Sequence, residues 1–353
     1  MVFEKVDAND HEQILYCNDQ SVGLKAIIAI HSTALGPATG GCRIWNYSSE
    51  SEALHDVLRL SKGMTYKSSI SGLNWGGGKA VILGDPRTTK TPAMLERFGE
   101  FVNRLGGNYI TAKDMGIDAD DLRSIKKNTS HILGIEGEKN SSGNPSPATA
   151  WGVLFGMQSC AQFAFNARSL KGMRIALQGL GSVAYSLLEH LTAEGAEVIG
   201  CDIDEATLEK AVKQYGIEIV SPDAIYDVKC DIFSPNALGA TLNSKTLPRI
   251  QAKIIAGAAN NQLDTPEVGY ALEDRGIIYA PDYAINAGGV INIYYEAPAQ
   301  GGYQKAQAFE HVKRIGQTVT DILERSRAER TPSFIIADRI AEERVNQARK
   351  LKK

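Results

Sequence analysis

A chain of 353 residues, 43% hydrophobic and 22% charged, has the make-up of a globular protein and the length of two domains. A formal net charge of −3 with no basic stripe argues against a nucleic-acid partner, and no apolar run reaches the length of a membrane span. The polar, acidic start MVFEKVDANDHEQ is no signal peptide. Cys17, Cys42, Cys160, Cys201 and Cys230 are odd in number and scattered, as expected of free thiols in a reducing cytoplasm. No Cys-x-x-Cys or His-x-x-x-His spacing supports a metal site.

In chain order, residues 23–31 form an apolar strand that enters a turn-rich loop holding Gly36-Pro37 and Gly40-Gly41. Residues 51–62 are helical in period, with Ala53, Leu54, Val57, Leu58 and Leu60 on the apolar side. Lys67 and Lys79 then flank a stretch with few other charges, and Lys79 stands directly behind Gly76-Gly77-Gly78. One reading is a glycine turn and a surface lysine that opens a strand. The other is a lysine set against close-packed backbone, where burial or a second ammonium nearby lowers its pKa toward that of a base near neutral pH. Residues 80–83 form a short strand, 91–105 a second amphipathic helix and 109–112 a strand. Asp114 sits just beyond that last strand's carboxyl end, where open α/β sheets bind ligands. A turn or helix N-cap is its alternative role, since Gly116 follows. Residues 136–147, polar and rich in Gly, Pro and Ser, are a linker.

A long helical pattern from Ala148 leads into the second signature. Residues 173–177 form a strand, followed by Gly179-Leu180-Gly181-Ser182-Val183-Ala184, a helical pattern, and the apolar run Val198-Ile199-Gly200-Cys201 ending at Asp202. Gly179 permits the tight turn, Gly181 lets backbone approach a pyrophosphate, and Ala184 lets the helix sit close to the strand. The phosphates would lie over Ser182 and Val183 at the helix N-terminus. Asp202 follows at the offset of about 20 residues typical of an acid that binds the adenosine ribose hydroxyls, which favours NAD over NADP. Further strands are expected at 231–234, 254–257 and 276–279, with terminal helices at 304–325 and 334–350. The fold class is therefore α/β. Residues 1–145 form a substrate domain, rejoined by a C-terminal helix at 330–353, and 146–329 form a Rossmann domain, with an active-site cleft between the two.

With both signatures in place, the chain resembles the glutamate/leucine/phenylalanine/valine dehydrogenase family, its leucine dehydrogenase branch most closely. The motifs LGPATGG, RLSKGMTYK, GLNWGGGKAVI, YITAKDMG, SSGNPSPATAWGV, AGAANNQL and APDYAINAGGVIN carry the resemblance. It implies that Lys67, with backbone at Gly40 and Gly41, holds the substrate α-carboxylate. Lys79 then acts on the water that adds to an imine carbon, and Asp114 handles protons on the substrate nitrogen. Asn286 lies near the substrate, and Thr149, Asn260 and Asn261 lie around the nicotinamide and its ribose.

The side-chain pocket implied is Thr39, Ala112, Leu133, Val290 and Ile293, none of them basic, so a glutamate carboxylate would lie there unpaired at high cost. This chain departs from the family at Lys113, where a Glu is usual, at Ile117 and Asp118, and at Thr39 and Leu133, where leucine dehydrogenases typically carry Leu and Thr. The expected activity is NAD-dependent oxidative deamination of an apolar, branched-chain L-amino acid to its 2-oxo acid and ammonia, by a cytoplasmic homo-oligomer, dimer or octamer. An aromatic amino-acid dehydrogenase is the alternative within the class. A non-catalytic NAD-binding protein is the alternative outside it.

Overall fold

The computed structural model describes residues 10–352; the chain's first residues, 1–9, lie outside them. The chain divides into two units. The first runs to Gly143 and takes in Ile293–Tyr303 and the chain from Ala341 onward; the second is Asn144–Asn292 with Gln304–Ile340. The final helix, Ser333–Leu351, is thus shared, and the segment 293–303 also belongs with the first unit.

The first unit is built on a mixed sheet of β1 (Gln13–Asp19), β2 (Leu24–Ser32), β3 (Ala38–Thr39), β4 (Cys42–Trp45), β5 (Gly76–Leu83) and β6 (Tyr109–Ile110). The order is β1-β2-β5-β3-β6, with β4 also paired to β5. The β1–β2 and β2–β5 pairs are antiparallel, whereas β3 and β4 pair parallel with β5, and β6 pairs parallel with β3. Both faces are covered, and the alternation along β2 shows it. Leu24, Ala26, Ile28 and Ile30 join Met94, Phe98, Leu122 and Ile125 of the helices Pro92–Arg104 and Ala119–Lys126. Ile27 and Ala29 face Ala53, Val57 and Leu58 of the helix Glu50–Ile70. That periodicity of two is what a strand buried on both sides requires.

Two elements extend beyond the sequence-based expectation for one shared reason. The helix expected at 51–62 continues to Ile70, and the strand expected at 80–83 begins at Gly76, so the glycines belong to the strand and form no turn. A Cβ on Gly77 would lie 2.1 Å from the Thr65 amide nitrogen, and one on Gly76 would lie 1.9 Å from the Ser32 carbonyl oxygen. The last turns of the helix present Ser61, Thr65, Ser68 and Ser69, all buried, so the helix carries on across the bare strand.

The second unit is an all-parallel sheet of β7 (Arg174–Gln178), β8 (Glu197–Cys201), β9 (Glu218–Ile219), β10 (Ile232–Pro235), β11 (Ile254–Ile255) and β12 (Ile278–Tyr279). Its order, β12-β11-β10-β7-β8-β9, is the Rossmann order, with the direction of winding reversed between β7 and β10. The helices Ser182–Ala193 and Glu205–Tyr215 make the first two crossovers. The short strand β9 and the helices Glu205–Tyr215 and Pro266–Asp274 were not marked by the sequence pattern.

Gly77→Ala tests the close packing. The clash is with backbone and cannot be relieved by a rotamer change, so the variant is expected to lose about 1–3 kcal/mol or more in urea unfolding. An unchanged midpoint would mean that the helix can back away from the strand freely.

Candidate active site

Lys79 lies on the glycine-packed strand and is only 7% exposed, with its Nζ 2.6 Å from Asp114 Oδ2. Asp114 reaches it because the segment after β6 closes on the loop at Gly41, where a Cβ would lie 2.5 Å from the Lys113 carbonyl oxygen and 2.9 Å from Asp114 Cβ. Gly40 is pressed as tightly against the Gly78 carbonyl, and its own carbonyl accepts the Tyr109 hydroxyl at 2.6 Å. Burial and a second ammonium were the two surroundings considered for Lys79. The structure supplies burial and sets a carboxylate against the amine.

Asp114 has a second cation. Arg43 Nε donates to Asp114 Oδ2 at 3.2 Å, while its Nη1 donates to Asp56 Oδ2 at 3.0 Å. Asp56 also accepts the Tyr47 hydroxyl at 2.7 Å and Arg59 Nη2 at 3.0 Å. Charges therefore alternate from Lys79 through Asp114, Arg43 and Asp56 to Arg59. Burial pushes the Asp114 carboxyl up, but the Lys79 ammonium and the Arg43 guanidinium outweigh it and hold its titration below the ordinary carboxylate range.

The capping role considered for Asp114 falls to Asp118 instead, which accepts the Asp120 and Asp121 amides and completes a capping box with Asp121. Ile117 is buried in the core and Lys113 is exposed, so two of the three departures after β6 serve packing and capping.

Lys67 stands half-buried on the last turn of the helix Glu50–Ile70. The end of that helix is held by Arg344, whose Nη1 donates to the Ser69 and Leu73 carbonyls at 3.0 and 2.8 Å and whose Nη2 donates to Asn74 Oδ1 at 3.1 Å. A cation on the free carbonyls of a helix C-terminus is favourable in both hydrogen bonding and dipole.

Of the five residues expected to contact the substrate side chain, Thr39, Ala112, Leu133 and Ile293 fall in the first unit and Val290 in the second. Thr39 pairs with Ile110 across β3 and β6, and the Leu133 amide donates to the Thr111 carbonyl at 3.0 Å, so β3, the stretch after β6 that holds Ala112 and the segment of Leu133 run side by side. Asn286 falls in the second unit, where its Nδ2 donates to Asn260 Oδ1 at 2.8 Å and to the Ala258 carbonyl at 3.1 Å.

In the second unit, Gly179 has φ +85° and no room for a Cβ, which would lie 2.8 Å from that of Ala237. Gly181 is the N-cap of the helix Ser182–Ala193; no side chain caps it, and a Cβ there would meet open space. The amides of Ser182, Val183 and Ala184 open that helix, and Ala184 is buried beneath it. Asp202 directly follows β8, with Oδ2 accepting the Leu180 amide at 2.6 Å and Oδ1 the Asp204 amide at 3.0 Å, which pins the carboxylate beside the turn. Thr149 lies on the first turn of the helix Ser146–Phe165, and Asn261 has φ +52°, in the left-handed region. Bare backbone, an uncapped helix N-terminus and an acid at the end of the next strand fit a dinucleotide.

Two family models match the chain, "Glu/Leu/Phe/Val dehydrogenase, dimerisation domain" over residues 11–131 and "Glutamate/Leucine/Phenylalanine/Valine dehydrogenase" over residues 202–352. The chain belongs to this dehydrogenase family. Leucine dehydrogenase of Geobacillus stearothermophilus is 48% identical to it over 349 residues, 99% of this chain and 94% of that one. L-tryptophan dehydrogenase of Nostoc punctiforme is 43% identical over 353 residues, 100% of this chain and 98% of that one. The crystal structure of the Nostoc enzyme superposes with a TM-score of 0.87 at 40% identity, covering 99% of this chain and all of that chain. The dehydrogenases of this family use a pyridine nucleotide.

Among the described residues of this dehydrogenase, no helix is long and apolar enough to cross a membrane, and no three His, Cys, Asp or Glu side chains are grouped to hold a metal ion. All five cysteines are free thiols, four of them buried. Sequence reasoning missed Arg43. The available signal was a single cation two residues beyond Gly41, inside the otherwise uncharged strand CRIW.

Arg43→Gln removes one of the two cations that hold Asp114 ionised. A carboxyl whose pKa is depressed by its partners titrates higher when a partner is lost. Asp114 is therefore expected to protonate at higher pH than in the parent, and the acid limb of kcat/KM to move up with it. A profile superimposable on the parent's would show that Arg43 has no hold on Asp114.

Proposed function

We propose that this dehydrogenase converts apolar L-amino acids, branched-chain ones first, to 2-oxo acids and ammonia with NAD, reversibly. The observation that carries the proposal is the buried pair of Lys79 and Asp114, at 2.6 Å, at the carboxyl end of β6. The nucleotide, when bound, accepts hydride from the substrate Cα. The chain's own residues do the rest. Lys67 pairs with the α-carboxylate, helped by backbone at Gly40 and Gly41. The substrate's ammonium is a cation that can replace Lys79 at Asp114, and Asp114 takes a proton from that nitrogen. Released from its partner, the Lys79 ammonium gives up its proton to solvent, and the neutral amine then orients the water that adds to the imine carbon and receives its proton. Asp114 returns a proton to the nitrogen as ammonia leaves. Hydride transfer requires the Cα to lie against the nicotinamide ring.

Support for NAD over NADP comes from Asp202, whose fixed carboxylate would repel a 2′-phosphate. The free thiols support a reducing, cytoplasmic setting, and the dimerisation domain matched at residues 11–131 supports a homo-oligomer. Choice of side chain rests on Thr39, Ala112, Leu133, Val290 and Ile293. An aromatic substrate is the second reading, favoured by the likeness to a protein named L-tryptophan dehydrogenase and by the short side chain at Thr39.

Three measurements test this. NADH formation across the amino acids should be greatest with leucine, isoleucine and valine, which should differ from one another by roughly 10–200-fold, and negligible with glutamate. Glutamate on top would refute the pocket; tryptophan or phenylalanine on top would install the second reading. Lys79→Ala should lower kcat by about 100-fold or more, and a near-normal kcat would remove Lys79 from the mechanism. The parent should prefer NAD and Asp202→Ser should narrow the preference; equal kcat/KM for NAD and NADP in the parent would end the ribose assignment.

A further inference from the structure

Glu296 is a carboxylate only 8% exposed, and the reaction above makes no use of it. Its Oε1 accepts the Ser142 amide at 2.7 Å and the Ser142 hydroxyl at 2.5 Å, and its Oε2 accepts the Gly134 amide at 2.8 Å. All these groups lie in the first unit. An ionised carboxylate withdrawn from water is expensive unless its lone pairs are met, and three donors from two separate segments meet them here.

The segments it joins are those that carry the pocket. Gly134 directly follows Leu133, whose amide is tied to Thr111. Ile293 is one turn before Glu296, and the Glu296 amide donates to the Ile293 carbonyl at 3.0 Å. The Ile293 side chain lies over Gly134, where a Cβ would be 3.6 Å from Ile293 Cδ1. Between Ile293 and Glu296, Tyr294 is buried edge-on against Trp75, with ring centroids 4.9 Å apart. Without the carboxylate, that aromatic contact would hold Tyr294 but leave the Leu133–Gly134 segment free to move away from Ile293.

We propose that Glu296 is a positioning residue for substrate choice: it fastens the Leu133 and Ile293 walls of the side-chain pocket to each other without itself touching substrate. The proposal rests on the pocket assigned above. In such a pocket one methylene is discriminated only if the walls cannot move apart to admit it.

The test compares the parent with Glu296→Ala and Glu296→Gln as full-length enzymes. Gln keeps the shape and one acceptor oxygen but turns an amide N–H toward one of the two segments, so it serves if the Ala variant fails to fold. The first readout is the ratio of kcat/KM for leucine to that for valine, which is independent of the fraction of active enzyme. It should shrink by about 10-fold toward unity, while KM for the nucleotide stays as in the parent. The second is hydrogen exchange of the Gly134 and Ser142 amides, which should quicken by about 10-fold or more. A lower Tm with an unchanged ratio would make Glu296 an ordinary structural residue and overturn the proposal. If the parent oxidises no apolar amino acid, the function assigned above is what fails. Unchanged exchange at Gly134 and Ser142 would then overturn the clasp on its own.

Discussion

Helix Glu50–Ile70 and strand β5 approach until backbone lies against backbone, and the active-site half of the first unit is arranged around that contact. Three successive positions on β5 each face a different neighbour at a distance that forbids a Cβ: the Ser32 carbonyl, the Thr65 amide and the Tyr109 ring. Glycine in a strand carries an entropic cost and offers nothing to pack. Here the bare strand lets helix and sheet close without a gap, and the next residue, Lys79, is carried into a buried position with its backbone still in the ladder beside Ala29. Lys67, one turn from the helix end, and Lys79, just past the glycines, are thus placed by one piece of packing.

Charge is handled differently from packing. A buried ion pair seldom stabilises a fold better than apolar side chains of the same size, whereas a buried charge without its partner is strongly destabilising. The run from Lys79 to Arg59 resolves this by alternation, with each carboxylate facing two cations. Such an arrangement is easily justified as chemistry. On the function proposed above, only the substrate's ammonium would enter the row, taking the place of Lys79 at Asp114 and leaving that carboxylate with two cations.

How far the site was legible follows from which residues leave a local mark. Gly76–Gly78 before Lys79, and Gly179 and Gly181 before a helix with Asp202 at its offset, are marks of close backbone approach, and both could be read directly. The extent of β5 and of the helix before it could not, because Gly76–Gly78 read as a turn until the partner that needs those glycines is known. Arg43 and Glu296 escaped for another reason. Each acts through groups distant in sequence, Asp114 and Asp56 for one, Gly134 and Ser142 for the other, and neither segment carries a periodicity that announces the partner. The cap at Asp118 was within reach, since Asp121 three residues on completes a recognisable pair.

The hold of Arg344 on the carbonyls of Ser69 and Leu73 reaches across the whole length of the chain. Ser69 reciprocates, its hydroxyl donating to the Ala341 carbonyl at 2.7 Å. During synthesis, the helix that presents Lys67 emerges early with only its local cap at Ser71–Leu73, and the hold from Arg344 is added once the end of the chain has left the ribosome. Domains tend to fold in the order in which they are made. Here the second unit can close on itself once residue 340 has been made, whereas the first unit, although begun earlier, is completed only by the last residues of the chain, and the helix end beside Lys67 is among the last parts to be fastened.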